Sequence, residues 1–362
     1  MQKKVLVAGA SGVVGVAAVE AFLREGWTVV ALSRRPPEVQ VPGKVEHLGV
    51  DLRDAAASSA ALGALKDVTH VVYTALFEKP GLIGGWQERD QMETNLAMLG
   101  NCLGPLLANG ARLEHVSLLQ GTKAYGIHLH PMPIPARERN PRDDHANFYW
   151  LQEDWLKAEA ARHGFAFTIL RPQLIIGASY GVAMNLAPVI GAYAAVCREL
   201  GEPMGFPGGV SYVWEAVDAR LLANVFVWAT RTPAANGQHF NVTNGDVFEW
   251  RNLWPALADE LGVNIGPDVP RPLASWLPAH EAQWNAVVKK HGLRAVALAD
   301  LLGESHHYAD FCFAYGATTP PPPAFVSAIK LRQAGFTEVC DTEDMFRYWL
   351  RNFIDRGILP RP

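Results

Sequence analysis

An α/β fold built on a doubly wound parallel sheet is predicted by three features of this 362-residue chain. Short, nearly continuous apolar runs alternate with helical segments through the first half, the pattern of a parallel sheet covered on both faces. The first run leads directly into a glycine-rich turn, Gly9-Ala10-Ser11-Gly12-Val13-Val14-Gly15, which opens a helical pattern. A composition of 49% hydrophobic and 19% charged residues supplies core for one large domain with an appendage, or for two domains.

The elements follow in order. Strands are expected at KVLVAG (4–9), TVVALS (28–33), KVEHLGV (44–50), THVVYTA (69–75), LEHVSLL (113–119) and AFTILR (166–171), all buried on both faces. Helices are expected at about 13–25, 54–65, 86–109 and 147–163. Beyond residue 172, Gly/Pro-punctuated connections and many tryptophans replace the regular alternation. Residues 1–175 therefore read as a dinucleotide-binding core and 176–362 as a smaller substrate-binding region, with a strand at 238–244 and a helix at 342–356 returning to the core. The uncharged stretch 172–197 reads as buried strand, loop and helix rather than a membrane span, because Gln173, Gly177, Gly181, Asn185 and Pro188 interrupt it. Segments 130–141 and 318–323 read as loops, each either a lid or a stiff proline spacer.

Bulk properties narrow the function. A formal charge of −4 leaves no basic footprint for nucleic acid or an acidic membrane. Cys102, Cys197, Cys312 and Cys340 are widely spaced and form no CxxC pair, so they read as reduced thiols of a cytoplasmic protein. The opening MQKKVLVAGASG enters a strand at once, and no signal peptide is expected. His306-His307 has no carboxylate or thiolate at metal-ligand spacing, no GxSxG turn is present, and no metal is expected. Asp143-Asp144 reads as a loop or a helix-start cap.

The glycine turn lets the backbone approach a pyrophosphate at the positive end of the first helix. Gly9, Ser11, Gly12, Val13, Val14 and Gly15 are the candidate phosphate contacts. After the second strand comes Ser33-Arg34-Arg35-Pro36, where an NAD site places a carboxylate on the ribose. Two guanidiniums suit a 2′-phosphate, so NADP(H) is the expected cofactor; the alternative is a solvated arginine pair. Asp51-Leu52 either meets the adenine amino group or caps the next helix. Thr74 and Ala75 leave room for the adenosine ribose, and Gln120, after the fifth strand, completes this side of the site.

At the chemical end, a phenol with a pKa of about 10 needs help to serve a substrate carbonyl. The common helper is a lysine one helical turn after the tyrosine, on the same face. No tyrosine here has Lys at plus four. Tyr149 is the candidate, and a candidate cofactor contact as well, but Glu153 holds that position and is expected to pair with Lys157. Lys123, after the fifth strand, is the candidate cation instead. Trp86, Phe148, Phe206, Tyr212, Trp214 and Trp276 are candidate lining for an apolar substrate pocket.

The segments GASGVVG, SRRP, THVVYTA, HVSLLQGTKAYG, NFYWLQED, RPQLIIG and FNVTNGDVFEW resemble the progesterone 5β-reductase/iridoid synthase group of atypical short-chain dehydrogenases, in order from about residue 4 to 359. The resemblance implies a Rossmann fold of the extended type and NADPH-dependent reduction of a C=C bond conjugated to a carbonyl. It implies that Tyr149 bonds the carbonyl oxygen as hydride reaches the β-carbon, with Lys123 supplying charge near that oxygen or orienting the cofactor. Cofactor contacts are implied for Ile175, Val182, Ala183 and Met184, although the group's usual serine-methionine pair is replaced by Val182 and Ala183. The implied partner is a small apolar enone or enal, and a homodimer is left open. Two other readings stand beside this one: an extended short-chain dehydrogenase acting on a carbonyl, alcohol or sugar nucleotide, and a non-catalytic NADP-binding regulator.

Overall fold

The computed structural model describes residues 3–362; Met1 and Gln2, which begin both the expected core unit and the opening read for a signal peptide, lie outside the described residues. The first half alternates as its pattern requires: β1 (Lys4–Ala8), α1 (Val13–Arg24), β2 (Thr28–Leu32), β3 (Val45–Leu48), α2 (Ala55–Leu62), β4 (His70–Tyr73), α3 (Arg89–Ala108), β5 (His115–Leu119), α4 (Phe148–His163) and β6 (Ala166–Pro172). Three short strands follow, β7 (Leu174–Ile176), β8 (Val213–Trp214) and β9 (Ala216–Asp218), then β10 (Gln238–Val242) and β11 (Phe248–Glu249). Helices α5 (Leu186–Leu200), α6 (Ala219–Ala229) and α7 (Trp250–Glu260) are interleaved with them.

Seven strands form one parallel sheet in the order β10-β6-β5-β4-β1-β2-β3. This is the doubly wound Rossmann arrangement, whose strand order reverses between β1 and β4. Its two cores follow from the period-two alternation of a strand. Val5, Val7, Val29 and Ala31 pack on the face of α1, α5 and α6, while Leu6, Ala8, Val30 and Leu32 pack on the face of α3 and α4. Since both faces are covered, a central strand is apolar beyond its first residue, which is why β1, β2 and β4 read so clearly.

Two elements differ from expectation. The run 44–50 yields only β3, and Glu46 and His47 in it are exposed. As the edge strand it has one neighbour and only part of its surface to bury, so the expected burial on both faces is not realised. The helix expected over 86–109 divides into a 3₁₀ turn (Leu82–Gln87) and α3. Glu88 between them is extended, and Lys79 pairs with both Glu88 and Asp90, fixing where the helix begins.

Residues 172–197 form the end of β6, β7, a connection and the buried α5; no helix among the described residues is long and apolar enough to cross a membrane. The segments 130–141 and 318–323 are irregular, and the first is stitched to the chain just after the second. Ala136 N donates to Phe325 O at 2.8 Å, and Ser327 N donates to Ala136 O at 2.8 Å. Strand β10 joins the main sheet beside β6, and the helix Thr342–Asp355 packs on α5, α7, β7 and β9.

Candidate active site

A cavity of about 740 Å³ opens at the carboxyl ends of the sheet strands, at the reversal between β1 and β4. Every residue expected at the cofactor or at the chemistry lines it. Gly9, Ser11, Gly12, Val13, Val14 and Gly15 form one wall; Ser33, Arg34, Arg35, Asp51 and Leu52 form the far end. Thr74, Ala75, Gln120, Ile175, Val182, Ala183 and Met184 line the middle, and Tyr149 and Lys123 the inner end.

The turn is built for close approach. Gly9 has φ +80°, and a Cβ there would lie 2.7 Å from Ala75 N. A Cβ on Gly15 would lie 2.0 Å from Gly9 O, so only glycine lets α1 pack onto the turn. No side chain caps α1, whose first N–H groups and positive dipole end face the cavity wall. That arrangement fits a pyrophosphate.

The far end selects for charge. Arg34 and Arg35 are exposed and form no ion pair among the described residues; Arg35 only reaches Gly181 O at 3.5 Å. The nearby carboxylates are occupied. Glu38 is shared by Arg294, Arg356 and the Tyr180 hydroxyl, and Arg294 foremost pulls its pKa down to about 2. Asp51 is gripped by Arg53 through bonds of 3.1 and 2.6 Å, which lowers its pKa to about 2. Asp51 is not a helix cap: Asp54 accepts the Ala57 N–H of α2, because Asp54 stands immediately before that helix. Along the middle, the Ala183 and Met184 N–H groups find no partner among the described residues, while Val182 O accepts from Ser305.

Tyr149 sits in the first turn of α4, whose N-cap is Asn147: its side chain accepts the Tyr149 N–H at 3.0 Å. Asp143 instead holds His145 at 2.7 Å, and the expectation of a cap from Asp143-Asp144 falls because Asn147, not that pair, adjoins the helix. A Cβ on Gly121 would lie 3.1 Å from the Tyr149 hydroxyl, which places the phenol over the end of β5. Burial raises the phenol well above its ordinary pKa; Glu78 adds to this and Arg171 opposes it. Tyr149 is therefore a hydrogen-bond donor at neutral pH.

Lys123 follows β5 by four residues, in a 3₁₀ turn. Its Nζ lies 3.5 Å from Glu78 Oε1 and 3.5 Å from the centroid of the Trp86 ring. Burial lowers its pKa to about 8, against the pull of Glu78. Glu78 is itself pushed up by burial and receives a 2.8 Å bond from Gln91.

Glu153, standing where the common lysine would be, is held in a buried charge cluster. Lys157 Nζ is 2.6 Å away, Arg142 3.2 Å and Arg171 3.3 Å; His239 Nε2 is 3.1 Å away but out of line for a hydrogen bond. Burial pushes Glu153 up, but His239 and Lys157 reverse this and hold it well below the usual carboxylate range. Arg171 continues inward, donating to Gln120 Oε1 at 3.1 Å, and Gln120 Nε2 donates to Tyr149 O at 3.1 Å. Gln120 thus braces the tyrosine as well as lining the cavity.

The apolar end is built from only two of the six expected aromatics. Trp86 and Trp214 line the cavity, but Phe148, Phe206, Tyr212 and Trp276 do not. Phe206 packs edge-to-face with Trp254 and Phe313, and Trp276 edge-to-face with Tyr193, in the C-terminal core. Phe148 lies against Tyr149 with ring centroids 4.5 Å apart, and the Tyr212 hydroxyl donates to Cys312 O at 3.0 Å. The lining comes instead from Ile127, His128, Tyr308 and Phe311. Tyr308 and Phe311 lie on the helix Ser305–Cys312, beside the His306-His307 pair that was weighed only for metal.

A family model described as a PRISE-like Rossmann-fold domain matches residues 5–311. The (S)-8-oxocitronellyl enol synthase of Antirrhinum majus is 29% identical over 99% of this chain and 93% of its own. The 3-oxo-Delta(4,5)-steroid 5-beta-reductase of Arabidopsis thaliana is 31% identical, over 82% of this chain and 79% of its own. Among solved structures, the UDP-glucose 4-epimerase of Thermotoga maritima superposes with a TM-score of 0.69 at 14% identity, covering 97% of this chain and 99% of that one. The epimerase shares the fold; the sequence match over 5–311, with 31% identity to the plant reductase, places this chain in the PRISE-like Rossmann-fold family.

Proposed function

We propose that the protein uses NADPH to reduce a carbon–carbon double bond conjugated to a carbonyl, with Tyr149 and Lys123 acting on the carbonyl oxygen. The observation that carries this reading is that a protonated Tyr149 and a lysine displaced to position 123 line the same cavity, the one that begins at the glycine turn. Ketone reduction places the new charge on the carbon–oxygen unit that receives hydride. Conjugate reduction places it on an enolate oxygen about two bonds further from the hydride-accepting carbon, so the donors must be aimed further from the hydride acceptor. NADPH supplies the hydride when bound.

The enolate becomes the saturated carbonyl by taking a proton from solvent at its α-carbon, and the chain's own residues bind and hold the reacting oxygen. The Tyr149 phenol donates a hydrogen bond to the carbonyl oxygen, and its raised pKa suits donation rather than proton abstraction. Lys123, with its ammonium at the wall, stabilises the enolate oxygen as charge develops. Trp86, Trp214, Tyr308 and Phe311 exclude water around an apolar enone or enal. Trp214, Tyr308 and Phe311 bring residues 176–362 to the substrate end, where they meet Trp86, Lys123 and Tyr149 of the first 175 residues. A cytoplasmic setting accords with the free thiols Cys102, Cys197 and Cys312.

The unpaired Arg34 and Arg35 support NADPH over NADH. Replacing both with alanine is expected to cut the kcat/KM preference for NADPH roughly 10- to 100-fold, the value of about 1.5–3 kcal/mol in charge-assisted bonds. NADH turnover should stay near wild type. An unchanged preference would contradict this role. For the reaction itself, the test is cofactor consumption with cyclohex-2-enone against cyclohexanone. Turnover of the enone alone is expected; turnover of only the saturated ketone would overturn the reading.

A further inference from the structure

Lys123 does not stand alone at the cavity wall. Both groups that grip its ammonium come from one segment, the connection from β4 to α3. Glu78 Oε1 lies 3.5 Å from Nζ, and the Trp86 ring centroid lies 3.5 Å from it on another side. The Glu78 side chain is only 4% exposed, and its second oxygen accepts from Gln91 Nε2 at 2.8 Å. Gln91 in turn accepts from the Lys79 N–H at 3.0 Å, which locks the connection onto α3. An ammonium has three donors, so one directed at Glu78 and one toward the Trp86 face leave a third for the cavity.

We propose that Glu78 is the positioning residue for Lys123, its carboxylate and the face of Trp86 aiming the ammonium at the substrate oxygen and keeping it charged. This rests on the reductase reading above. A buried lysine tends to lose its proton, and Lys123 is brought down to about 8; an adjacent carboxylate is what resists a further fall. Burial also moves two other titratable groups at this corner, Tyr149 and His128, away from neutral pH. Burial raises the Tyr149 phenol, with Glu78 adding and Arg171 opposing. Burial holds His128 down to about 4, assisted by Lys123 and by His145 and opposed by Asp143.

Two measurements on the full-length protein test this. The first is the pH profile of kcat/KM for cyclohex-2-enone in wild type, Glu78→Gln and Glu78→Asp. Glu78→Gln is expected to move the alkaline limb toward lower pH by about one unit or more. Glu78→Asp, which keeps the charge, should return it most of the way. A residue that merely supports the fold would lower the whole profile without moving the limb, and that outcome would overturn the proposal. The second measurement titrates Lys123 directly by NMR in protein labelled with ¹³Cε-lysine, its signal assigned with Lys123→Arg. A lower pKa in Glu78→Gln is expected, or, where that variant does not fold, in Trp86→Leu, which removes the second contact; equal values to wild type would refute the clamp. Because this readout needs no turnover, a wild type that reduces no enone yet shows the shift would count against the reaction and not against the clamp.

Discussion

Tyr149→Phe is expected to lose about 10²–10³-fold in kcat/KM for an enone, the cost of removing one donor aimed at a developing oxyanion. The ring packs against Phe148 and the backbone is held by Asn147 and Gln120, so the variant should fold as wild type does. Only the hydroxyl over Gly121 is lost. NADPH affinity should change little, because the arginines and the glycine turn are untouched. The loss should therefore fall mainly on kcat, as expected for an interaction that strengthens in the transition state. Steady-state kinetics with fluorescence titration of NADPH checks both halves. Full activity in Tyr149→Phe would remove the tyrosine from the chemistry.

Restoring the common tyrosine–lysine spacing with Glu153→Lys is expected to damage the protein rather than convert it. The carboxylate is 5% exposed and is the shared counter-ion of Arg142, Lys157 and Arg171. A lysine there would bury a fourth cation with no partner. Even Glu153→Gln should cost about 3–5 kcal/mol, the usual effect of breaking a buried pair. A lower denaturation midpoint at unchanged slope would show it.

The pH dependence of that cost has a definite sign. Glu153 is held below its unfolded value of 4.5, so wild type enjoys the stabilisation in full above about pH 5 and loses it as the pH falls through and below 4.5. The gap between wild type and Glu153→Gln should therefore narrow in acid. A gap independent of pH from 7 to 3 would mean that the cluster is not what holds this corner together.

How much of this was readable beforehand depended on where each interaction's partner lies along the chain. Strands β1, β2 and β4 announce themselves because burial on both faces makes every position after the first apolar. Strand β3 was over-read because an edge position relaxes that demand, and Glu46 and His47 occupy it. The glycine turn, the arginine pair, Tyr149 and Lys123 each belong to a short local pattern, and they line one cavity. Lys157 as the partner of Glu153 was likewise visible, one helical turn away. Arg171, which opposes the rise of the Tyr149 pKa, was not visible, since the order β4-β5-β6 and not any spacing brings it to α4. The same holds for Glu78, 45 residues before Lys123. Tyr308 and Phe311 arrive from a C-terminal helix with no motif to mark them, while Phe206 and Trp276 look equally suitable in sequence and are core.

Hydride delivery to the β-carbon, two bonds from the carbonyl carbon, is the step on which the reductase reading stands. It is tested most directly by turnover of cyclohex-2-enone with NADPH carrying deuterium at the transferable position, followed by NMR of the product. Deuterium at the β-carbon of cyclohexanone is the expected result. Deuterium on the carbinol carbon of cyclohex-2-enol would contradict the assignment of Tyr149 and Lys123 to an enolate oxygen.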